Sequence, residues 1–298
     1  MTTHQFRAPG ELADGLAGVG YLADDALAMA AFLALGLDRP LLLEGANGVG
    51  KTEVAKALAQ LLRRDLIRLQ CYEGLDTSQA LYDWHYTRQL LDMRSEQRQS
   101  GLLGDSMARS SADVFTREYL QPRPLLQALE AGDRAVLLID ELDRADDEFE
   151  AFLLELLSDF AVTIPEIGRI AADRPPLVVI TSNRTRDLHT ALRRRCLYQW
   201  VGHPDAEREL RILRARAPHV PPELARQVAA AVQHIRGLGL GNPPGVGEAL
   251  DWVGALHLIG VSTLSPEAAA ATLSALVKDV DDAELVARRI ADVVRVAS

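Results

Sequence analysis

The chain has 298 residues, of which 48% are hydrophobic and 25% charged, a balance that excludes a disordered or fibrous protein. Its formal net charge of -10 argues against a broad nucleic-acid or anionic-membrane surface, since both require clustered positive charge. Cys71 and Cys196 give neither a disulfide framework nor a metal spacing, the first residues lack a secretory leader, and the longest apolar run, residues 26–37, is too short to span a bilayer; a cytoplasmic protein without membrane insertion is expected.

In chain order, residues 26–37 read as a buried helix that Arg39 and Pro40 break before the short apolar strand Leu41, Leu42, Leu43. A glycine-rich turn follows. Residues 52–62 then carry Val54, Ala55, Leu58, Ala59 and Leu62 at helical spacing, and Leu66, Ile67 and Leu69 predict another strand. Two further apolar strands, at 135–139 and 177–180, flank a helical stretch at 146–158, so an α/β fold with a mainly parallel, two-sided sheet is expected.

Residues 72–113 are polar and poorly periodic and read as an insertion, and residues 161–170 read as a projecting β-hairpin in which Pro165 and Gly168 interrupt β-branched residues. From His203 onward strands disappear. Helices are predicted around residues 224–235, 246–258, 266–277 and 282–296, which divides the chain into an α/β domain, 1–202, and an all-helical domain, 203–298.

The run Gly45, Ala46, Asn47, Gly48, Val49, Gly50, Lys51, Thr52 matches the P-loop pattern in full and lies between a strand and a helix, as that motif requires. Its glycines let backbone N–H groups close around phosphates, and the helix adds its positive N-terminal end. Lys51 is one of only three lysines among many arginines, and a compact ammonium suits the β- and γ-phosphates of ATP; the Thr52 hydroxyl suits Mg2+. The strand at 135–139 ends in Asp140 and Glu141, adjacent carboxylates with no structural purpose in a buried strand. Asp140 is the candidate to hold Mg2+ through its water shell, and Glu141 to orient and deprotonate the attacking water.

Asn183 ends the strand at 177–180 and is the candidate amide for the γ-phosphate or the water, a turn-forming Asn being the alternative. Arg193, Arg194 and Arg195 close a short helix. They either complement its dipole or place Arg195, and next Arg194, as an arginine finger in a neighbouring subunit's site.

With these motifs the chain resembles the AAA+ ATPases, and within them the MoxR family, closest to the CoxD-like accessory ATPases of carbon monoxide dehydrogenase maturation. Residues 20–24 (Gly-Tyr-Leu-Ala-Asp), 71–76 (Cys-Tyr-Glu-Gly-Leu-Asp), 163–168 (Thr-Ile-Pro-Glu-Ile-Gly) and 245–252 (Gly-Val-Gly-Glu-Ala-Leu-Asp-Trp) carry the likeness. The resemblance implies an AAA+ αβα domain with a helix-2 insertion, a hairpin before the Asn183 strand and a helical lid. It also implies a homo-oligomeric ring, usually a hexamer, that hydrolyses ATP with Mg2+ between subunits and acts as a chaperone on a metalloenzyme or other protein client beside a von Willebrand A domain protein. A DNA translocase or helicase-like motor and a nucleotide-gated scaffold are the competing functions. The hairpin speaks against nucleic acid, because Arg169 is its only cation and Glu166 opposes it. One departure from the AAA+ pattern stands out: residues 242–248 contain no cation where a lid arginine would sense the γ-phosphate, so that sensor is either absent or supplied elsewhere, for instance by Arg236 or a neighbouring subunit, and no residue is assigned to the role.

Overall fold

A computed structural model describes residues 6–87 and 116–298; the greater part of the predicted insertion, with Phe115, lies outside the described residues. Helix α1 (Pro9–Gly18) starts on a proline, and α2 (Asp25–Leu37) is capped by the Asp24 carboxylate, which accepts from the Leu27 N–H at 2.7 Å. Pro40 ends that segment and β1 (Leu41–Glu44) follows, fully buried. The glycine-rich turn leads into α3 (Lys51–Leu62) and β2 (Asp65–Gln70). A short α4 (Thr77–Leu81), held by an Asp76–Gln79 capping box, runs into β3 (Tyr82–Trp84), which pairs antiparallel with β4 (Leu120–Pro122). Then come α5 (Pro124–Ala131), β5 (Ala135–Asp140), α6 (Asp147–Asp159), the hairpin β6 (Ala161–Ile164) and β7 (Gly168–Ala171), β8 (Leu177–Ser182), α7 (Thr190–Arg195) and β9 (Leu197–Trp200).

The five long-range strands form one parallel sheet in the order β2-β5-β8-β1-β9. Because side chains alternate along a strand, the unbroken apolar runs serve both faces. Leu42, Leu137, Ile139, Val178 and Ile180 pack with α5 and α6, whereas Leu41, Leu43, Val136, Leu138 and Val179 pack with α1, α2 and α3. The result is a three-layer αβα sandwich. Order along the sheet places the ends of β1, β5 and β8 side by side, so Glu44, Asp140 and Ser182 meet at one rim.

After β9 the described chain is helical: α8 (Ala206–Arg216), α9 (Pro222–Arg236), α10 (Val246–Leu258), α11 (Pro266–Ala271), α12 (Leu273–Leu276) and α13 (Val280–Ala297). These helices share their own core around Trp252, Leu224, Val228, Val232 and Val293. No helix among the described residues is long and apolar enough to cross a membrane.

Three expectations change. Residues 266–277 form two short helices, because the Thr272 hydroxyl bonds back to the Ala268 carbonyl while accepting the Trp252 indole N–H, both at 2.8 Å. The start of the predicted insertion is not a loose excursion, since Leu75, Ala80 and Leu81 are buried in the main core. Strand β9 and helices α1, α5 and α8 emerge where the sequence signals no element, β9 because a four-residue edge strand with exposed Tyr198 and Trp200 lacks an apolar run.

Candidate active site

The P-loop wraps tightly because its glycines permit either a close approach or a left-handed backbone that a side chain would oppose. A Cβ on Gly45 would lie 2.1 Å from the Val201 carbonyl, and Gly48 and Gly50 adopt φ of +74° and +95°. Lys51 opens α3, and its ammonium donates to the Gly45 and Ala46 carbonyls at 2.7 Å each. Burial lowers the Lys51 pKa, and the charges of Asp143, Asp140 and Glu141 work against that shift.

Asp140 is 3% exposed, and both oxygens of its carboxylate accept hydrogen bonds. Oδ1 accepts from the Thr181 hydroxyl at 2.6 Å and the Thr52 hydroxyl at 3.1 Å, and Oδ2 accepts from the Arg68 guanidinium at 2.6 Å. Next in sequence, Glu141 has φ 55° and ψ 49°, a left-handed conformation unusual for a residue with a Cβ. That kink is held by the Glu141 N–H donating to Thr181 Oγ1 at 2.8 Å and leaves the carboxylate near the surface beside Arg144, 3.3 Å away. Asp143, buried beneath, receives the N–H groups of Asn183 (3.1 Å) and Thr185 (2.9 Å) and the Thr185 hydroxyl (2.7 Å). Burial pushes its carboxyl pKa up, but these donors outweigh it and hold the pKa below the ordinary value. The Asn183 side chain is half-buried at the same cavity and makes no hydrogen bond among the described residues.

These groups share a cavity of about 550 Å3, lined by the P-loop, Asp140, Glu141, Thr181 and Asn183, by Gly20 to Leu22 ahead of α2, and by α8 and α10. The helical half therefore roofs the site. Its approach is close: the Val246 N–H donates to the Gly48 carbonyl at 2.9 Å, and a Cβ on Gly245 would come within 2.5 Å of that same carbonyl. Arg236 does not reach the cavity. It is 8% exposed and locked on Glu209 at 2.7 and 2.8 Å and on the Pro244 carbonyl, which removes it as a substitute for the missing lid arginine.

Arg194 and Arg195 lie away from this cavity. The Arg195 guanidinium closes the C-terminal end of α6 by donating to the Leu157 carbonyl at 2.9 Å and the Ser158 carbonyl at 2.5 Å. Arg194 is exposed and its guanidinium makes no hydrogen bond or ion pair among the described residues. Of the two candidate finger residues, Arg194 is the one whose side chain can extend outward without breaking a bond within the described chain. Arg193 turns the other way, toward buried Glu44 at 3.3 Å.

Sequence reasoning missed Thr181, Asp143 and Arg68. Thr181 stood in view in the polar end of β8, and Arg68 was a cation between the apolar Ile67 and Leu69 of a predicted strand. The set of hard oxygen donors at Thr52 and Asp140 fits Mg2+, and the Arg68 guanidinium already stands in for a cation there.

A phosphate-wrapping loop at the end of β1, paired acids at the end of β5 and a helical roof define an ATP-hydrolysing P-loop enzyme of the AAA+ superfamily. Residues 40–196, just over half of the chain, match the family described as AAA domain (dynein-related subfamily), and the chain belongs to that family. Its fold implies binding of ATP and Mg2+ in general terms. No curated protein matches the sequence. Similar solved structures include a point mutant of Thermotoga maritima RuvB, with 16% identity over 94% of this chain and 73% of that chain and a TM-score of 0.50. Another is Thermotoga maritima RuvB, described as a Holliday junction branch migration motor, with 18% identity, 86% and 68% coverage and a TM-score of 0.48. At such identity the first likeness concerns the fold.

Proposed function

We propose that this chain is the subunit of a homo-oligomeric, MoxR-type ring that uses ATP hydrolysis to remodel a protein client, with residues 1–202 as motor and 203–298 as lid. In this reading Lys51 and the P-loop backbone hold the phosphates, Thr52 and Asp140 hold Mg2+, the latter through water, and Glu141 takes the proton of the attacking water. Mg2+ would neutralise charge developing on the phosphates. Asn183 orients the water or the γ-phosphate, and Arg194 or Arg195 reaches a neighbour's nucleotide. The observation that carries the reading is the convergence of Lys51, Thr52, Asp140, Glu141 and Asn183 on one roofed cavity.

A protein client is favoured by charge. The chain is acidic overall, and on the hairpin Arg169 lies 4.0 Å from Asp159, so little positive potential is available for a phosphate backbone. The competing reading is a DNA motor. ATP turnover of wild type and Glu141→Gln, measured with duplex DNA and with a candidate von Willebrand A partner and client, tests both. Turnover lost by at least about 100-fold in the variant, and stimulated in wild type by the protein partner but not by DNA, is expected. Stimulation by DNA that fades with salt would replace this reading with the second, and unchanged turnover in Glu141→Gln would overturn its assignment as base.

A further inference from the structure

Asp140 is nearly fully buried, and a buried carboxylate needs a cation or several donors close by. In P-loop sites that cation is easily assumed to be the lysine. Here Lys51 is turned onto the Gly45 and Ala46 carbonyls, and the cation in contact with Asp140 is Arg68, at 2.6 Å on Oδ2. Arg68 comes from β2, an edge strand of the sheet, and is not among the residues that line the cavity. Its side chain is half-exposed, and beyond Asp140 its one partner among the described residues is the neighbouring Gln70 amide oxygen at 2.5 Å. The guanidinium can move into water whereas Asp140, fixed by Thr181 and Thr52, cannot leave, so the cost of its departure is the unpaired buried carboxylate, which an arriving metal ion removes.

Three donors already engage Asp140: the Thr181 hydroxyl on Oδ1, the one Thr52 hydroxyl proton shared between Oδ1 and Oδ2 at 3.1 and 3.3 Å, and the Arg68 guanidinium on Oδ2. A magnesium ion held through water needs acceptor capacity on this carboxylate. We propose that Arg68 is a resident counter-cation of Asp140 that gives way when the metal ion and its water shell arrive, so that Mg2+ entry is a competition between two cations for one carboxylate. This rests on the reading of Asp140 as the Mg2+ residue. It makes Arg68 a positioning residue, acting through Asp140 and touching neither phosphate nor water. Before the metal binds it keeps the buried charge paired, and it sets the Mg2+ concentration at which the site becomes complete.

The test is equilibrium binding of a fluorescent ADP analogue to full-length wild type, Arg68→Gln and Arg68→Lys across a Mg2+ series, with melting temperatures in EDTA and at saturating Mg2+. Arg68→Gln is expected to lower the Mg2+ concentration at half effect by about tenfold, because the competitor is gone. It should also melt lower than wild type in EDTA, with the gap narrowing at saturating Mg2+. Arg68→Lys, which keeps the charge, should lie near wild type in both measurements. An unchanged or raised Mg2+ midpoint in Arg68→Gln, with wild type binding the analogue normally, overturns the displacement of Arg68 alone. Failure of wild type to bind the analogue at all overturns the nucleotide-site reading and this inference with it.

Discussion

Asp143 carries no motif signal, yet it ties the loop after β5 to the loop after β8. Its carboxylate takes three donors from Asn183 and Thr185, and so sets where the Asn183 amide stands relative to Glu141. Asp143→Asn would turn an amide N–H2 toward these donors and should cost about 1–3 kcal/mol at pH 7. The pH dependence has a definite sign. A carboxyl whose folded pKa is depressed stabilises the fold fully above its unfolded pKa, near 3.8, and loses that contribution as pH falls through the folded value. Chemical denaturation of wild type and variant across pH should therefore show a gap that is constant near neutrality and closes in acid below the ordinary carboxyl range.

Between elements, the decisive contact is α10 on the P-loop. The N-terminal end of α10 meets the Gly48 carbonyl through the Val246 N–H, Gly245 passes where a side chain cannot, and the Glu248 carboxylate accepts the Gly245 N–H at 3.1 Å. With no arginine in residues 242–248, this backbone contact couples the helical half to the phosphate loop. Gly245→Ala places a methyl group against Gly48 and must push the two apart. Nucleotide affinity of that variant should fall by about tenfold, the energetic weight of one lost hydrogen bond with its packing, while the helical core around Trp252 stays intact. Titration with a nucleotide analogue, alongside Trp252 fluorescence as the control for folding, checks both parts. The same scale explains why the predicted helix at 266–277 breaks: residues 266–277 are periodic enough for one helix, but Thr272 is drawn to Trp252 across the core.

For the molecule as a whole, the two arginines at the end of α7 bear on assembly. Arg195 serves its own subunit by closing α6, and Arg194 points to solvent. If the finger acts in a neighbour, Arg194→Ala should lower turnover by about 1000-fold with an unchanged melting temperature, because it breaks no bond within the chain. Arg195→Ala should lower the melting temperature as well, since two carbonyls lose their donor. Turnover measured over a protein concentration series, with thermal unfolding of each variant, separates the two roles: specific activity that rises with concentration belongs to a ring, and mixing Arg194→Ala with Glu141→Gln should restore part of it.

What the sequence determined by itself was local and periodic. The strand-loop-helix frame around residues 45–52 and the acids at 140 and 141 are legible because phosphate wrapping and a buried strand each demand particular residues at fixed spacing. The unbroken apolar run Leu41, Leu42 and Leu43 likewise announces a two-sided sheet. Strand order, and with it the meeting of Asp140 with Thr181 and Arg68, was decided only in three dimensions, because hydrogen-bonded neighbours in a parallel sheet are separated by whole crossover units. So was the fate of the cations: Arg236 and Arg195 look as free as Arg194 along the chain, and burial against Glu209 and the end of α6 sets them apart.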